Sequence, residues 1–520
     1  MRNYIWVLGI ILGLITGCAR VGMPSGGEKD TTPPKLFQSI PASGTVNFKG
    51  HEIVLQFDEY VTLKDAIKNI LISPPLQQMP VVKPAGIAAK TLKLEFKEDL
   101  LPNTTYIINF GESISDFNEG NKLKSLQLVF ATGPVIDSLT LKGKIKPVYF
   151  TQKPKDILVG LYPVANFKDS LVFTQKPYYV ALADKNGQYR FTHLKKGKYF
   201  IRAIEDKNRN FKYSPGEEAI AFSLDTLQIP RDTLVDLVLF QEPKRPKIEK
   251  IKQVSAHHIQ IAYEGVRDSI RIVPVKPLTQ SYIMGGDKQI DYWYDTPQDS
   301  IYLKIYAGQK LKKYLKKRVD IPDSLLVRIQ GKGRITPLDT VRISGNRPLL
   351  AVDSNKIQLI SDSLTVPFQL VAGENYSFDL VFDKQPGKSY SLQVLPQAVT
   401  GYLKTQNKDT LRARLSIPAL EKYGTLQVQF DSLHQPAFVE LLQKDKVFYK
   451  TPTKTTGTFK FAYLMPGKYK LRLVYDANNN NKWDTGNYLQ HLQPEKTFEP
   501  DMPIEIRANW EVNQKFSSGN

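Results

Sequence analysis

The sequence predicts an all-β chain built as a row of tandem β-sandwiches. Three observations lead there. Segments such as Glu52–Phe57 (EIVLQF) and Thr91–Phe96 (TLKLEF) alternate apolar and polar residues, the period of a half-buried strand. The 520 residues include 26 Tyr, 25 Phe and 34 Pro, a composition that favours strands and turns over helices. A stretch of 30 residues also recurs without a gap at an offset of 270, so one structural unit is used twice.

Cys18 is the only cysteine in the chain. Arg2 precedes an apolar run from Ile5 to Ile15, 11 residues long and too short to span a bilayer. Such a run ahead of small residues reads as a secretory signal, residues 1–17, and is set aside from the fold. Ile15-Thr16-Gly17-Cys18 resembles the bacterial lipobox, in which the cysteine thiol takes a diacylglycerol before cleavage. The resemblance implies lipidation at Cys18, durable anchoring through several acyl chains and localisation at the outer membrane, facing either the periplasm or the cell surface. Residues 18–31, rich in Gly, Pro and Ser, form the tether.

Residues 32–134 form the first expected domain. Leu101–Phe110 (LPNTTYIINF) reads as a turn and a strand, and only Leu63–Ile70 (LKDAIKNI) looks briefly helical. Pro33–Gly44 (PPKLFQSIPASG), Leu55–Val61 (LQFDEYV), Asp116–Asn121 (DFNEGN) and Leu128–Gly133 (LVFATG) resemble, in order, the bacterial Ig-like domain of the SbsA type, found in lipoproteins of Bacteroidota. The resemblance implies a sandwich spacer without catalytic residues.

The repeated stretch pairs Gly187–Gly216 with Gly457–Gly486, and Phe191, Leu194, Gly197-Lys198-Tyr199 and Asp206 coincide with Phe461, Leu464, Gly467-Lys468-Tyr469 and Asp476. The two copies, at 135–243 and 420–520, resemble the prealbumin-like sandwich of carboxypeptidase regulatory-like domains, again without a catalytic role. Between them, His258–Tyr263, Asp299–Tyr306, Tyr376–Phe382 and Tyr390–Pro396 alternate as strands, and predict two sandwiches at 244–345 and 346–419. Gln241–Lys247 (QEPKRPK), with three Lys/Arg and two Pro, reads as a linker.

The Asp/Asn loops after the repeated strands are the sharpest chemical candidates. Asp206, Asn208, Asn210, Ser214 and Glu217 stand at positions 1, 3, 5, 9 and 12, with the Lys212 carbonyl at 7, the spacing with which alternate oxygens wrap calcium. The second loop offers Asp476, Asn478, Asn480, Asp484 and Asn487. Both lack the glycine at position 6, having Phe211 and Asn481, and each has two carboxylates at ligand positions. A hairpin loop whose Asp and Asn side chains bond their own backbone accounts for the same residues. That reading is preferred here, so no cofactor is expected and weak calcium binding is the alternative.

No catalytic pattern is expected to work in this chain. The six histidines form no HExxH, the sequence has no GxSxG or phosphate loop, and Asp58-Glu59 is the only tempting carboxylate pair. Adjacent strand residues face opposite sides, which argues against that pair. Lys+Arg exceed Asp+Glu, giving a net charge of +20, and Lys304–Arg318 holds seven Lys/Arg and two Tyr. That stretch suits either an anionic glycan or lipopolysaccharide, or a strand edge protected by lysines. The expected role is a non-catalytic scaffold or interaction protein of the envelope, whose partners are envelope or β-barrel proteins and not nucleic acid. The alternatives are a glycan- or lipopolysaccharide-binding protein, with Tyr292-Trp293-Tyr294 as a stacking surface, and an unrecognised hydrolase.

Overall fold

A computed structural model describes residues 30–517 apart from 66–68, 125, 151, 152, 297 and 318–323. The signal, the lipobox with Cys18, most of the tether and Arg318 lie outside the described residues. Among the described residues no helix is long and apolar enough to cross a membrane. The chain is all-β, and its strands form tandem sandwiches.

The N-terminal sandwich packs Leu36–Ile40, Glu52–Leu63, Ala89–Glu95, Val81–Lys83 and Ile114–Asp116 against Leu71–Ser73, Thr105–Asn109 and Gln127–Ala131. Ile53, Leu55 and Phe57 point inward with Leu92 and Leu94, as the alternation requires. In the expected helical stretch, Leu63 ends a strand, Asn69 N bonds the Asp65 carbonyl, and residues 66–68 lie outside the described residues. Asp116 of the DFNEGN stretch is buried and accepts the backbone amides of Glu119, Gly120 and Asn121 at 2.6, 2.8 and 2.7 Å. It staples its loop.

The two repeat copies pair their repeated strands in the same way. In the first, Gln188–Leu194 pairs antiparallel with Leu139–Pro147, which pairs in parallel with Leu237–Gln241. In the second, Thr458–Leu464 pairs with Gly424–Phe430, which pairs in parallel with Glu511–Phe516. The long strands Gly197–Glu205 and Gly467–Tyr475 each carry the other ladder; in the first copy Ala219–Phe222 pairs with Leu237–Gln241 and joins both ladders into one eight-stranded sheet, whereas in the second they stay a three-stranded and a five-stranded sheet. The repeat seen in the sequence is therefore a repeat of register as well as of residues.

The division expected at Gly345 is corrected. Val341–Gly345 pairs on both sides, with Val327–Gln330 and with Ser377–Phe382. Val327, Ile329, Val341 and Ile343 share a core with Leu359, Leu392 and Leu415. The third sandwich is therefore Lys247 to Lys317, around Ile259, Ile261, Tyr292 and Leu303, and the fourth begins before Val327. Gly345-Asn346-Arg347-Pro348 is a packed turn. Arg347 is buried, and the Asn346 side chain bonds Leu326 N and the Ser324 carbonyl.

Neighbouring sandwiches touch through specific groups. Ser73 Oγ accepts the Val180 amide, and Thr105 Oγ1 donates to Asp137, between the first two. Between the third and fourth, Trp293, which stacks on His258 of its own sandwich at 4.0 Å, meets the edge of Tyr402. Arg347 lies over the Trp293 ring at 5.2 Å.

Candidate functional site: the Asp/Asn loops and the contact between the repeat copies

Each loop begins where the long repeated strand ends. Asp206 accepts Asn210 N and Phe211 N, both at 3.0 Å, Asn208 Oδ1 accepts Asn210 N, and Asn210 Oδ1 accepts Lys212 N. The second loop repeats this: Asp476 accepts Asn480 N and Asn481 N, Asn478 accepts Asn480 N, and Asn480 accepts Lys482 N. Arg209 and Phe211, and likewise Asn479 and Asn481, take positive φ. That backbone turns the amides inward onto the carboxylate. The oxygens at positions 1, 3 and 5 are thus engaged by backbone donors in both copies.

Glu217, the expected twelfth ligand, stands outside this arrangement. It is exposed and pairs with Lys244 at 3.4 Å. Its neighbour Glu218 is buried instead and closes the loop, accepting Lys207 N at 3.2 Å and Ser214 N at 2.9 Å. In the second copy Glu495 does the same for Ala477 N and Asp484 N. Asp484 also accepts the side-chain amides of Asn478 and Asn480. Among the described residues no group of three or more His, Cys, Asp and Glu could hold a metal ion.

Burial pushes the Asp206, Glu218 and Glu495 carboxyls above their ordinary values, against the amides that favour the charged form. At Asp476 burial acts in the same sense. There the Thr453 hydroxyl and the amides of Asn481, Asn480 and Asn479 together outweigh it, and the carboxyl sits below its ordinary value.

The closing glutamates expose a difference between the copies. Gly216 and Gly486 keep the offset of 270, but Glu218 and Glu495 are 277 apart, so the second copy carries seven extra residues after Gly486. This insertion forms a small turn closed by a bridge between Asn487 and Leu492. Sequence reading missed it because the ungapped match ends at Gly486.

The insertion enters the first copy. Tyr488 is fully buried in a cluster with Val172, Tyr213, Phe222 and Phe240. Its backbone amide donates to Glu242 at 2.8 Å, its hydroxyl bonds the Asp169 carboxylate at 3.0 Å, and Arg202 Nε donates to that hydroxyl at 3.2 Å. The Arg202 guanidinium lies 5.2–5.7 Å from the ring centres of Phe167, Phe200, Tyr488 and Phe222, and pairs with Asp169 at 3.3 Å. A buried cation is thus neutralised by one carboxylate and enclosed by aromatic faces. Burial would raise the Asp169 carboxyl, but bonds from His491, Tyr488 and Arg202 outweigh it and hold it below its ordinary value.

The second copy has its own version. Arg472 occupies the repeat position of Arg202, is buried, and pairs with Glu440 at 3.3 Å and Glu499 at 2.6 Å. Its guanidinium lies 4.4 Å from the ring of Tyr149, a residue of the first copy. Tyr149 donates to Glu440 at 2.9 Å and stacks on Trp483 at 4.3 Å. Burial first, and Glu440 second, push its hydroxyl up to about 12. Each copy therefore buries one arginine against a tyrosine of the other. Thr485 Oγ1 also donates to the Gln241 carbonyl, and Gln493 to that of Phe222.

The remaining candidates lie elsewhere. Asp58 is exposed and accepts Lys35 N at 2.9 Å. Glu59 is half-buried, and its carboxyl is raised by burial and then by Asp116 and Asp58. Tyr292, Trp293 and Tyr294 are all buried, which removes them as a sugar-stacking surface.

Residues 30–132 match the family model described as the bacterial Ig-like domain. That span is the N-terminal sandwich. No curated protein matches the chain. Among solved structures, the chain is similar to the Bacillus anthracis TIE protein at 11% identity, over 95% of this chain and 76% of that one, with a TM-score of 0.14. Surface layer protein SbsC, domains 1–6, matches at 10% identity over 91% and 67%, with a TM-score of 0.16. BcpA, the major pilin subunit of Bacillus cereus, matches at 10% identity over 74% and 100%, with a TM-score of 0.14.

Proposed function

We propose that this chain is a non-catalytic scaffold of the bacterial envelope, anchored to the outer membrane through an acylated Cys18, and that it works by binding envelope proteins such as a β-barrel complex or its assembly or export machinery. The observation that carries this reading is the contact between the repeat copies. The buried ionic and aromatic groups that would otherwise suggest an active site, around Arg202 and Arg472, are spent on joining two sandwiches far apart in sequence. The Asp/Asn loops bind their own backbone. An Ig-like sandwich at residues 30–132 suits a spacer near the anchor.

Two measurements test the reading. Replacement of Cys18→Ser is expected to release the protein from outer-membrane fractions after a high-salt wash, and retention would remove the anchor. Affinity purification of the full chain from native envelopes, read by mass spectrometry, is expected to recover a barrel protein. Recovery of glycan alone would favour a carbohydrate-binding role instead.

A further inference from the structure

We propose that the outward face of the sheet formed by Ile270–Pro274, Ser300–Ala307 and Lys310–Lys317 is a docking surface for an anionic lipid bilayer. In Ser300–Ala307, Ile301, Leu303, Ile305 and Ala307 are buried, so Tyr302, Lys304 and Tyr306 face away from the core. The register sets residues beside them in rows. Tyr306 lies between Arg271 and Leu311, Lys304 beside Lys313, Tyr302 beside Leu315, and Ser300 beside Lys317. Val273 adjoins Lys304 on its other side, so the rows Arg271–Tyr306–Leu311 and Val273–Lys304–Lys313 each mix cations with apolar or aromatic groups.

Leu311 and Leu315 are 44% and 66% exposed. The Arg271 guanidinium lies over the Tyr306 ring at 4.5 Å. Among the described residues no carboxylate lies within ion-pair distance of Lys304, Lys313 or Lys317. The face therefore calls for a partner that is negative and also accepts apolar side chains. The headgroup boundary of an anionic bilayer has both properties: lysines reach phosphates while leucine and tyrosine enter the boundary. Protection of a strand edge accounts for lysines on Lys310–Lys317. It gives no reason for two exposed leucines beside them.

The test uses the chain from residue 19 onward, which lacks Cys18, so its result is independent of acylation. Sedimentation with vesicles of phosphatidylglycerol in phosphatidylcholine is expected to carry the protein down, with pure phosphatidylcholine not doing so, and salt is expected to weaken binding. The triple variant Lys304→Gln, Lys313→Gln, Lys317→Gln should bind at least about tenfold more weakly. Leu311→Ser with Leu315→Ser, which keeps every cation, should also bind more weakly. Melting curves of both variants are expected to match the parent, since the changed side chains stand on the solvent face, and Lys313→Gln alone replaces a variant that melts lower. Equal binding to both vesicles, undiminished binding of the lysine variant, or undiminished binding of the leucine variant would overturn the proposal. Binding confined to lipopolysaccharide micelles or to nucleic acid would overturn it as well.

Discussion

Asp206 and Asp476 show how a metal-like spacing arises without requiring a metal. Alternate Asp and Asn oxygens suit a cation, but they suit equally a loop whose positive-φ residues point amides at the same oxygens. Asp206→Ala and Asp476→Ala are each expected to cost about 1–3 kcal/mol by leaving amides unpaired, the same in calcium as in chelator. A melting temperature that rises by many degrees in millimolar calcium, and loses that rise in Asp206→Ala, would contradict this. A pH effect belongs to Asp169. Its folded carboxyl is held below the ordinary value, so its contribution is present above about pH 4 and is lost as the pH falls through the lowered value. The difference in melting temperature between the parent and Asp169→Asn should shrink below that pH, and a difference constant from neutral to strongly acid would contradict the assignment. Asp206, Glu218 and Glu495 have the opposite sign, since their raised carboxyls favour the folded state at low pH and lose that contribution as the pH rises through the raised values.

At the scale of elements, strand alternation made most of the fold legible. EIVLQF, TLKLEF up to Glu95 and DSIYLKIY from Ser300 lie in strands with the expected faces inward. Strand spacing places a boundary at Gly345, but spacing does not say whether a turn separates two cores or lies within one, and Val341–Gly345 pairs on both sides within one. The insertion after Gly486 was illegible for another reason: Tyr488 in NYLQHLQ follows no period, and its burial is decided by a sandwich more than 240 residues away. Tyr488→Ala removes a fully buried ring and is expected to cost about 3–5 kcal/mol at the contact between the copies. Calorimetry should then resolve the two copies as separate transitions, with the strands of the second copy intact by circular dichroism. A single transition at the parent temperature would mean that the insertion does not hold the copies together.

At the scale of the whole molecule, the third and fourth sandwiches lie between two copies that touch, so the row predicted from sequence is folded back on itself. The linker expected at 241–247 is part of this closure: Glu242 is buried and holds both Tyr213 and the amide of Tyr488. Sequence alone could not reveal this, because QEPKRPK has the composition of an exposed linker. The scaffold reading rests on the closed contact between the copies, and a distance across it tests that directly. With Cys18 replaced by serine, spin labels at Lys168→Cys and Leu489→Cys flank Asp169 and Tyr488, whose side chains bond. A narrow distribution at short distance, broadened by Tyr488→Ala, is the predicted result. A broad distribution at the long distances of sandwiches strung out in a row would contradict the account.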